Sequence, residues 1–537
     1  MTCHSRAMES RPADVEILII GTGFAGLGLA IQLQRHGFHD FVLVEKEPDI
    51  GGTWLVNQYP GCACDVQSHM YSFSFEPNPH WSREFASQPE ILAYLQRCTD
   101  KHQLRPRIRF QTQAIGARYD EQARLWRVKL AHADAVDAQL ARAKLRPGEH
   151  LPGELASELE AHEISARIVV SAMGGLSTPA YPELPGLARF RGSSFHSQRW
   201  RHDLDLRGKR VAVVGTGASA IQFVPQIQPQ VQRLDLYQRT PAWVLPKPDR
   251  SIGGLERAVL RHVPGARLLR RAALYTQLES RAIAMVHRPE LLSVGERLAR
   301  LYIRSQVKDR SLRQQLTPHY ALGCKRVLLS NDYYPAVTQP NVELITRGIR
   351  EVTEQGIVDA DGRERAVDAL IFGTGFRLAD LVPRGLIHGR GGRDLVDAWT
   401  RGPEAYKGTT VSGFPNMFIL VGPNTGLGHN SIIYMIESQL SYVLGALRHM
   451  RQHKLVEIEV EAAAQQRFNR DLERRSRGTV FTSGGCASYY LDPKSGRNIA
   501  VWPDFTFMFR LATRRFDARN YRTQPHASGA SRKTTHA

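Results

Sequence analysis

The amino-acid sequence predicts an α/β fold built from two separate parallel sheets, with a helical lobe inserted. Residues 15–20 and 211–214 are continuous apolar runs, which are typical of strands buried on both faces of a parallel sheet. Each run leads directly into a glycine-rich turn and then into a helical pattern. A third stretch, residues 251–310, has helical periodicity and predicts the inserted lobe.

The turn after the first strand reads Gly21-Thr22-Gly23-Phe24-Ala25-Gly26. Gly21 permits a tight turn, Gly23 lets the backbone approach a pyrophosphate, and Gly26 lets the helix pack closely on the strand. The pyrophosphate would then lie at the helix N-terminus. Glu45 ends the next predicted strand and is placed to accept the hydroxyls of an unphosphorylated ribose. These features predict a Rossmann-like dinucleotide-binding domain.

The turn after the second strand reads Gly215-Thr216-Gly217-Ala218-Ser219-Ala220, with alanine in a position where the pattern allows it. Arg239 lies 24 residues after Gly215, and Glu45 lies 24 residues after Gly21. A carboxylate repels a 2′-phosphate, whereas a guanidinium binds it through two hydrogen bonds. The first unit is therefore predicted to hold FAD and the second NADPH, with Thr240 as a further donor. The alternative interpretation is that Arg239 stands at the end of this strand by chance and has no role in binding a phosphate.

Two further segments are candidates for flavin contact. One follows the acidic residue and reads Gly51-Gly52-Thr53-Trp54. The other is a predicted strand at 417–421 that ends in the turn Gly422-Pro423-Asn424. A long apolar helix begins near Ser431, and its N-terminus would stabilise negative charge on a reduced flavin.

The charge balance limits the classes of partner. The chain has 71 Lys and Arg against 52 Asp and Glu, a formal net charge of +19. The favoured explanation of this charge is an arginine-rich composition that serves phosphate-bearing cofactors. Binding to an anionic membrane or to nucleic acid is the less favoured explanation, and no nucleic-acid module is apparent. Residues 251–310 carry twelve basic against five acidic residues. A peripheral membrane contact is one interpretation of this lobe, and a solvated face is the favoured one.

The remaining composition favours a cytoplasmic enzyme. No uncharged apolar run reaches the roughly 18 residues that a membrane span needs, and the first residues do not resemble a signal peptide. The six cysteines have no metal-ligand spacing, so no metal site is predicted and a reducing compartment is expected. Cys62 and Cys64 are too close in sequence for an easy disulfide.

A segment between the two glycine turns resembles a known family signature. Residues 190–200 read FRGSSFHSQRW and match F-x-G-x-x-x-H-x-x-x-W, which marks Baeyer-Villiger monooxygenases. The related flavin-containing monooxygenases usually have Tyr or Phe where this chain has Trp200. The family normally continues with Pro or Asp, and here Arg201 follows instead. His196 would lie in a linker that moves as NADP changes position.

The likeness extends over about residues 15–517, apart from the insertion at 131–163. The runs 51–54, 57–65, 238–241, 323–326 and 332–334 resemble family motifs, and 172–174 and 373–375 resemble its crossing motifs with one change each. The resemblance implies that Asp65 and Arg326 form the catalytic pair and that Lys325 also contacts the 2′-phosphate. It further implies that Trp54, Tyr59 and Tyr71 wall the flavin, while His196 and Trp200 belong to the cofactor-linked hinge.

The implied reaction inserts one oxygen atom from O2 next to a ketone carbonyl through a C4a-peroxyflavin, with NADPH as reductant. The permanent charge of Arg326 would stabilise the anionic nucleophile and the developing oxyanion. One alternative is an N- or S-oxygenating flavin monooxygenase. A disulfide reductase needs a redox-active cysteine pair, for which the spacing of Cys62 and Cys64 is wrong. A third alternative is a basic protein that binds a membrane or nucleic acid. The two intact glycine fingerprints disfavour it.

The predicted domains follow from this arrangement. The FAD-binding domain comprises residues 12–180 and 371–515, and the NADP-binding domain comprises 181–370 with the helical lobe at 251–320. Residues 516–537 are polar and basic and are predicted to form a disordered tail. The natural ketone and the oligomeric state are not defined by the sequence.

Overall fold

The computed structural model describes residues 13–146, 149, 151–377 and 382–525. The strands are β1 Val15–Ile20, β2 Phe41–Val44, β3 Ile108–Arg109, β4 Thr112–Asp120, β5 Leu125–His132, β6 His162–Ser171, β7 Ser193–His196, β8 Arg210–Val214, β9 Arg233–Tyr237, β10 Val244–Leu245, β11 Leu328–Leu329, β12 Val342–Ile345, β13 Ile349–Val352, β14 Gly356–Asp359, β15 Glu364–Ala366, β16 Ala369–Phe372, β17 Ile387–His388, β18 Met417–Ile419, β19 Leu455–Val460 and β20 Tyr521–Pro525. The helices are α1 Phe24–Arg35, α2 Thr53–Val56, α3 Gln88–Lys101, α4 Ala133–Arg142, α5 Gly153–Ala156, α6 Ala220–Ile227, α7 Gly254–His262, α8 Ala266–Glu279, α9 Leu292–Gln306, α10 Arg310–Leu316, α11 Tyr333–Val337, α12 Leu395–Ala398, α13 Ile432–Gln452, α14 Ala462–Ser476, α15 Val480–Ser483 and α16 Thr506–Thr513.

The first sheet has the strand order β17–β4–β5–β6–β1–β2–β3, and β18 also pairs with β6. Strand β1 runs parallel to β2 and β6 at its centre. Ile17 and Ile19 pack into one hydrophobic core with helices α1 and α13, while Leu18 packs into a second core on the opposite face. Both faces of β1 are therefore covered, which is why its sequence is apolar without alternation.

The second sheet has the order β12–β9–β8–β16–β7, and every pairing in it is parallel. The chain enters this sheet at β7 and leaves it after β16, then returns to the first sheet through β17 and β18. The first unit is therefore assembled from both ends of the chain around the second. The predicted α/β fold with two Rossmann-like units is confirmed.

The helical lobe is inserted between β10 and β11, which pair with each other at its base. It contains α7 to α10 and the π-helical segment Ile283–His287. The insertion at 131–163 contains α4 and α5, which pack on β4 and β5 around a small core of their own. Across the described residues, no helix combines the length and apolarity required to cross a membrane.

The prediction of a disordered tail from residue 516 was wrong for its first part. Strand β20 pairs antiparallel with β19. The Asp517 carboxylate accepts hydrogen bonds from the hydroxyls of Tyr406 and Tyr442 and pairs with Lys407. These partners satisfy the polar side chains that made the segment look disordered. Residues 526–537 of the predicted tail lie outside the described residues.

Candidate active site

The first glycine turn leaves no room for a side chain at Gly21 or Gly26. Gly21 has a φ of 105°, and a Cβ atom there would lie 2.7 Å from the Ala172 carbonyl oxygen. A Cβ on Gly26 would lie 2.0 Å from the Gly21 carbonyl oxygen, and one on Gly52 would lie 2.9 Å from the Gly23 Cα. Gly21, Gly23 and Gly52 line a cavity of about 300 Å³, while Gly26 packs against the Gly21 carbonyl. Among the predicted residues, the cavity is lined by Gly21, Gly23, Glu45, Gly52, Thr53, Trp54 and Tyr71.

Glu45 is held in place at the edge of this cavity by the turn itself. One carboxylate oxygen accepts hydrogen bonds from the Thr22 amide and hydroxyl at 2.9 and 2.7 Å. The other accepts from the Glu47 amide at 3.0 Å. Thr22 was not predicted as a site residue, although its place inside the fingerprint was a usable signal. The buried carboxylate is thus fixed at the edge of the cavity.

Two aromatic side chains form a wall of the cavity. The Trp54 indole N–H donates to the Tyr71 hydroxyl at 3.2 Å, and the two rings meet edge to face. The N-terminus of α13 lies on the same cavity through Ile432 and Ile433, and Ser431 caps this helix by accepting from the Ile433 amide. The predicted helix N-terminus therefore lies at this cavity, and its role toward a flavin stays a prediction.

Three predicted flavin contacts lie elsewhere in the structure. The Tyr59 hydroxyl donates to the Gln222 side chain of α6 at 3.0 Å, so Tyr59 lies on the border with the second unit. Gly422 and Asn424 form the turn after β18, where the Asn424 amide group donates to the Asn498 carbonyl at 2.8 Å. A Cβ on Gly422 would lie 2.3 Å from the Gly408 carbonyl oxygen, so this glycine has a packing role.

The second glycine turn repeats the geometry of the first. Gly215 has a φ of 108°, and a Cβ there would lie 2.4 Å from the Gly373 carbonyl oxygen in the return crossing. Thr216, Gly217 and Ser219 lead from this turn into the N-terminus of α6, which begins at the fully buried Ala220.

A second cavity, of about 440 Å³, lies beyond the end of β9. It is lined by Gln238, Arg239, Pro241, Ser311, Gln314, Gln315, His319 and Thr346, and the predicted donor Thr240 is not among these residues. Burial lowers the pKa of Lys325, and the nearby charge of Arg239 lowers it further. Neither cation has a carboxylate partner among the described residues. Two close cations without a counter-ion are suited to binding a phosphate group.

Arg326 and Asp65 form a bidentate ion pair between the two units. The Nε and Nη2 atoms of Arg326 donate to the two Asp65 oxygens at 2.7 Å each, and Nη1 donates to the Leu427 carbonyl at 3.0 Å. Burial alone would raise the pKa of Asp65, but Arg326 outweighs it and holds that pKa below its usual value. The charge of Asp65 raises the pKa of Arg326. Both groups are therefore charged at neutral pH.

The signature segment contains strand β7, which pairs with β16 at the edge of the second sheet. His196 ends β7, is fully buried, and packs between the rings of Tyr181 and Phe376. Burial lowers its pKa to about 4, so the ring is neutral at pH 7. Trp200 packs on Phe223 of α6. The unusual Arg201 forms a bidentate pair with exposed Asp203 and points away from this packing, while the roles of His196 and Trp200 in cofactor binding stay predictions.

The cysteines differ from the sequence expectation. Cys324 and Cys486 form a disulfide across 162 residues, which the spacing did not indicate. It joins the loop that carries Arg326 to the segment that precedes Tyr489 and Tyr490. Cys62, Cys64 and Cys98 are free and buried, and burial raises the pKa of Cys62 to about 11. A thiol of that pKa is a poor nucleophile, which argues against disulfide-reductase chemistry.

Comparisons with known proteins agree with this geometry. Two family models match: an NAD(P)-binding Rossmann-like domain at residues 19–88 and a flavin-binding monooxygenase-like family at 160–261. A Baeyer-Villiger monooxygenase of Pseudomonas aeruginosa is 53% identical and covers 96% of this chain and 94% of its own length. Another, of Streptomyces coelicolor, is 44% identical over 94% of this chain and 92% of its own length. The crystal structure of OTEMO in complex with FAD and NADP has a TM-score of 0.79 at 26% identity, covering 94% of this chain and 97% of that one.

The two dinucleotide units, the cavity at the first glycine turn and the family matches define a flavin-dependent monooxygenase with a second, NAD(P)-binding domain. The extent of identity to the bacterial relatives narrows this class further. The chain belongs to the Baeyer-Villiger monooxygenase family. The predicted enzyme class is confirmed, whereas the roles of the individual site residues stay predictions.

Proposed function

We propose that the enzyme uses NADPH and O2 to insert one oxygen atom next to the carbonyl carbon of a small-molecule ketone. The products are an ester or lactone, water and NADP⁺. The observation that carries the proposal is the bidentate pair of Arg326 and Asp65 between the two dinucleotide units. When bound, FAD would supply the reduced ring system that activates O2.

The residues of the first cavity fit FAD. Close backbone contact at Gly21, Gly23 and Gly52 leaves space for a pyrophosphate, and the carboxylate of Glu45 is fixed beside it. The second cavity fits the 2′-phosphate of NADPH, because Arg239 lines it and the charge of Arg239 adds to burial in lowering the pKa of Lys325, and neither cation has an acidic partner among the described residues. A ligand with two negative charges would relieve their mutual repulsion.

Arg326 is suited to stabilise an oxygen anion. An arginine side chain has five N–H groups, and three of them are engaged by Asp65 and Leu427. One N–H on each Nη atom is left to donate to the oxygen that becomes negative when a ketone carbonyl is attacked. A permanently charged donor outside bulk water strengthens such an interaction.

Asp65 is a positioning residue in this proposal. Both of its oxygens accept from Arg326, which fixes the plane of the guanidinium relative to the first sheet. The side chains of Asp65 and Arg326 are 32% and 27% exposed, so the pair is accessible to a small substrate.

We also propose that the enzyme works in the cytoplasm, with the ketone and O2 as diffusing partners. Free buried thiols at Cys62, Cys64 and Cys98 fit a reducing compartment, where NADPH is the ordinary reductant. The bridged pair of Cys324 and Cys486 would then be formed under oxidising conditions only.

The test compares Arg326→Ala with Arg207→Ala, which removes an exposed arginine paired with Asp205. Each purified enzyme receives NADPH with a panel of ketones, sulfides and amines, and products are weighed by mass spectrometry. We expect ester formation to fall by at least about 100-fold in Arg326→Ala. Reduction of the flavin by NADPH, followed by its absorbance under anaerobic conditions, should change by less than about threefold, since it precedes the attack on the ketone.

Arg207→Ala should retain ester formation. The ketone proposal fails if the parent enzyme yields sulfoxides or hydroxylamines but no ester. The proposed role of Arg326 fails if Arg326→Ala and Arg207→Ala form ester at the same rate.

A further inference from the structure

The helical hairpin formed by α7 and α8 exposes an unusual number of large apolar side chains. Leu255, Leu268 and Leu269 are 81%, 72% and 73% exposed, and the connecting Val263 is 51% exposed. Leu255, Val259 and Val263 recur every four residues, so they form one stripe along α7. The only buried side chain of α7 is Leu260. An apolar surface of this kind indicates an interaction site rather than an ordinary solvated helix.

The same hairpin is strongly basic. Residues 254–272 contain five arginines and one glutamate. Arg257, Arg261 and Arg267 are exposed, and their side chains make no hydrogen bond or ion pair within the described part of the chain. The glutamate, Glu256, is paired with Arg250 and does not neutralise them.

Hydrogen bonds and an ion pair join the hairpin to the rest of the protein through α8. Arg270 pairs with Glu84, and Arg271 donates to the carbonyls of His69 and Ser72 in the first domain. At the other end of α8, the buried Glu279 accepts from the amide and hydroxyl of Thr506. Helix α16, which begins at Thr506, adds exposed side chains beside this end of α8: Phe507 is 41% and Leu511 is 58% exposed.

We propose that the α7–α8 hairpin docks the enzyme on the surface of an anionic phospholipid bilayer. Exposed leucines between unpaired arginines are the pattern of an interfacial helix, which buries its apolar side chains at the headgroup boundary while its arginines contact lipid phosphates. Charge complementarity favours this occupant, because residues 254–272 of the hairpin carry a net +4 and an anionic leaflet attracts each basic residue. The inference concerns a surface outside both cofactor cavities and does not depend on the identity of the ketone.

The experiment uses the full-length, FAD-loaded enzyme in vesicle flotation. Vesicles of phosphatidylcholine with phosphatidylglycerol are compared with phosphatidylcholine alone. We expect the parent enzyme to float with the anionic vesicles and to bind them at least about tenfold more tightly than the neutral ones.

The variant R257Q/R261Q/R267Q should lose at least about tenfold in affinity for the anionic vesicles. The control R142Q/K144Q/R448Q removes the same charge from exposed positions outside the hairpin and should bind like the parent. The variant L268S/L269S should also lose at least about tenfold, because two apolar side chains no longer enter the headgroup boundary. Flavin absorbance and thermal unfolding establish that each variant is folded.

Three results would overturn the proposal. In the first, the parent enzyme does not float with anionic vesicles. In the second, the hairpin variant and the charge-matched control bind equally, so that only net charge matters. In the third, L268S/L269S converts a dimer into a monomer in light scattering, which would assign the apolar surface to a second copy of the chain.

Discussion

Arg239 and Lys325 should determine the preference for NADPH over NADH. Removing a charged hydrogen bond to a phosphate costs about 1.5–3 kcal/mol, which corresponds to roughly 10- to 150-fold in kcat/KM. Without a phosphate the two cations repel each other, because the charge of Arg239 contributes to the lowered pKa of Lys325. This repulsion is relieved in each single variant, so we expect values near the lower limit: about 30-fold for Arg239→Gln and about 10-fold for Lys325→Gln.

The assay measures initial rates of nucleotide oxidation with saturating ketone, for NADPH and NADH in parallel. NADH lacks the 2′-phosphate, so its kcat/KM should change by less than about threefold in Arg239→Gln. Arg257→Gln, an exposed arginine in the same domain, is the control and should leave both values as they are in the parent. The reasoning is refuted if Arg239→Gln lowers kcat/KM for NADPH and for NADH by the same factor. Arg239 would then stabilise the fold or bind a part that both nucleotides share.

Three further predictions concern protons, the disulfide and the ion pair. The pKa of His196 is about 4 in the folded chain and near 6.5 when unfolded, so the unfolded state binds more protons between these values and stability falls as the pH drops through that window. His196→Gln should flatten the fall of Tm between pH 7 and 5 in thermal scans; parallel curves would contradict this. Cys486→Ser, or reduction of the parent, should increase hydrogen peroxide released per NADPH, because the segment before Tyr489 is no longer tied to the Arg326 loop; an unchanged peroxide yield would contradict it. Asp65→Asn should lower ester formation about 100-fold in product assays, and a loss below about threefold would remove Asp65 from the proposal.

The parts of the fold that could be predicted are those determined by local sequence. Strand β1 is covered on both faces, so its apolar run is visible in any short window. The positive φ of Gly21 and Gly215 requires glycine, and the pattern therefore shows where each strand turns into a helix. The ordered part of the tail was missed because Asp517 obtains its partners from Tyr406 and Tyr442, which are distant in sequence.

The same contrast holds in the candidate site. Glu45 and Arg239 could be placed by counting from a glycine turn, since both follow one strand, one helix and a second strand. Asp65 and Arg326 are 261 residues apart, and only the family resemblance predicted that they pair. The contact of Tyr59 with Gln222 depends on how the two domains dock, which no local pattern contains. The bridge between Cys324 and Cys486 depends on the same docking.

The loop at 324–326 places Lys325, whose pKa is lowered by burial and by Arg239, next in sequence to Arg326 of the ion pair with Asp65. Lys325 has its pKa lowered by burial and by the charge of Arg239 in the second domain, while Arg326 binds Asp65 and the Leu427 carbonyl of the first. Adjacent Cα atoms are about 3.8 Å apart, so a backbone shift at Lys325 also moves Arg326. A phosphate that draws Lys325 toward Arg239 would therefore also affect the position of the guanidinium. For this reason Lys325→Gln should alter both peroxide release and NADPH affinity. Arg239→Gln leaves the loop intact, so it should alter NADPH affinity to a greater extent than peroxide release.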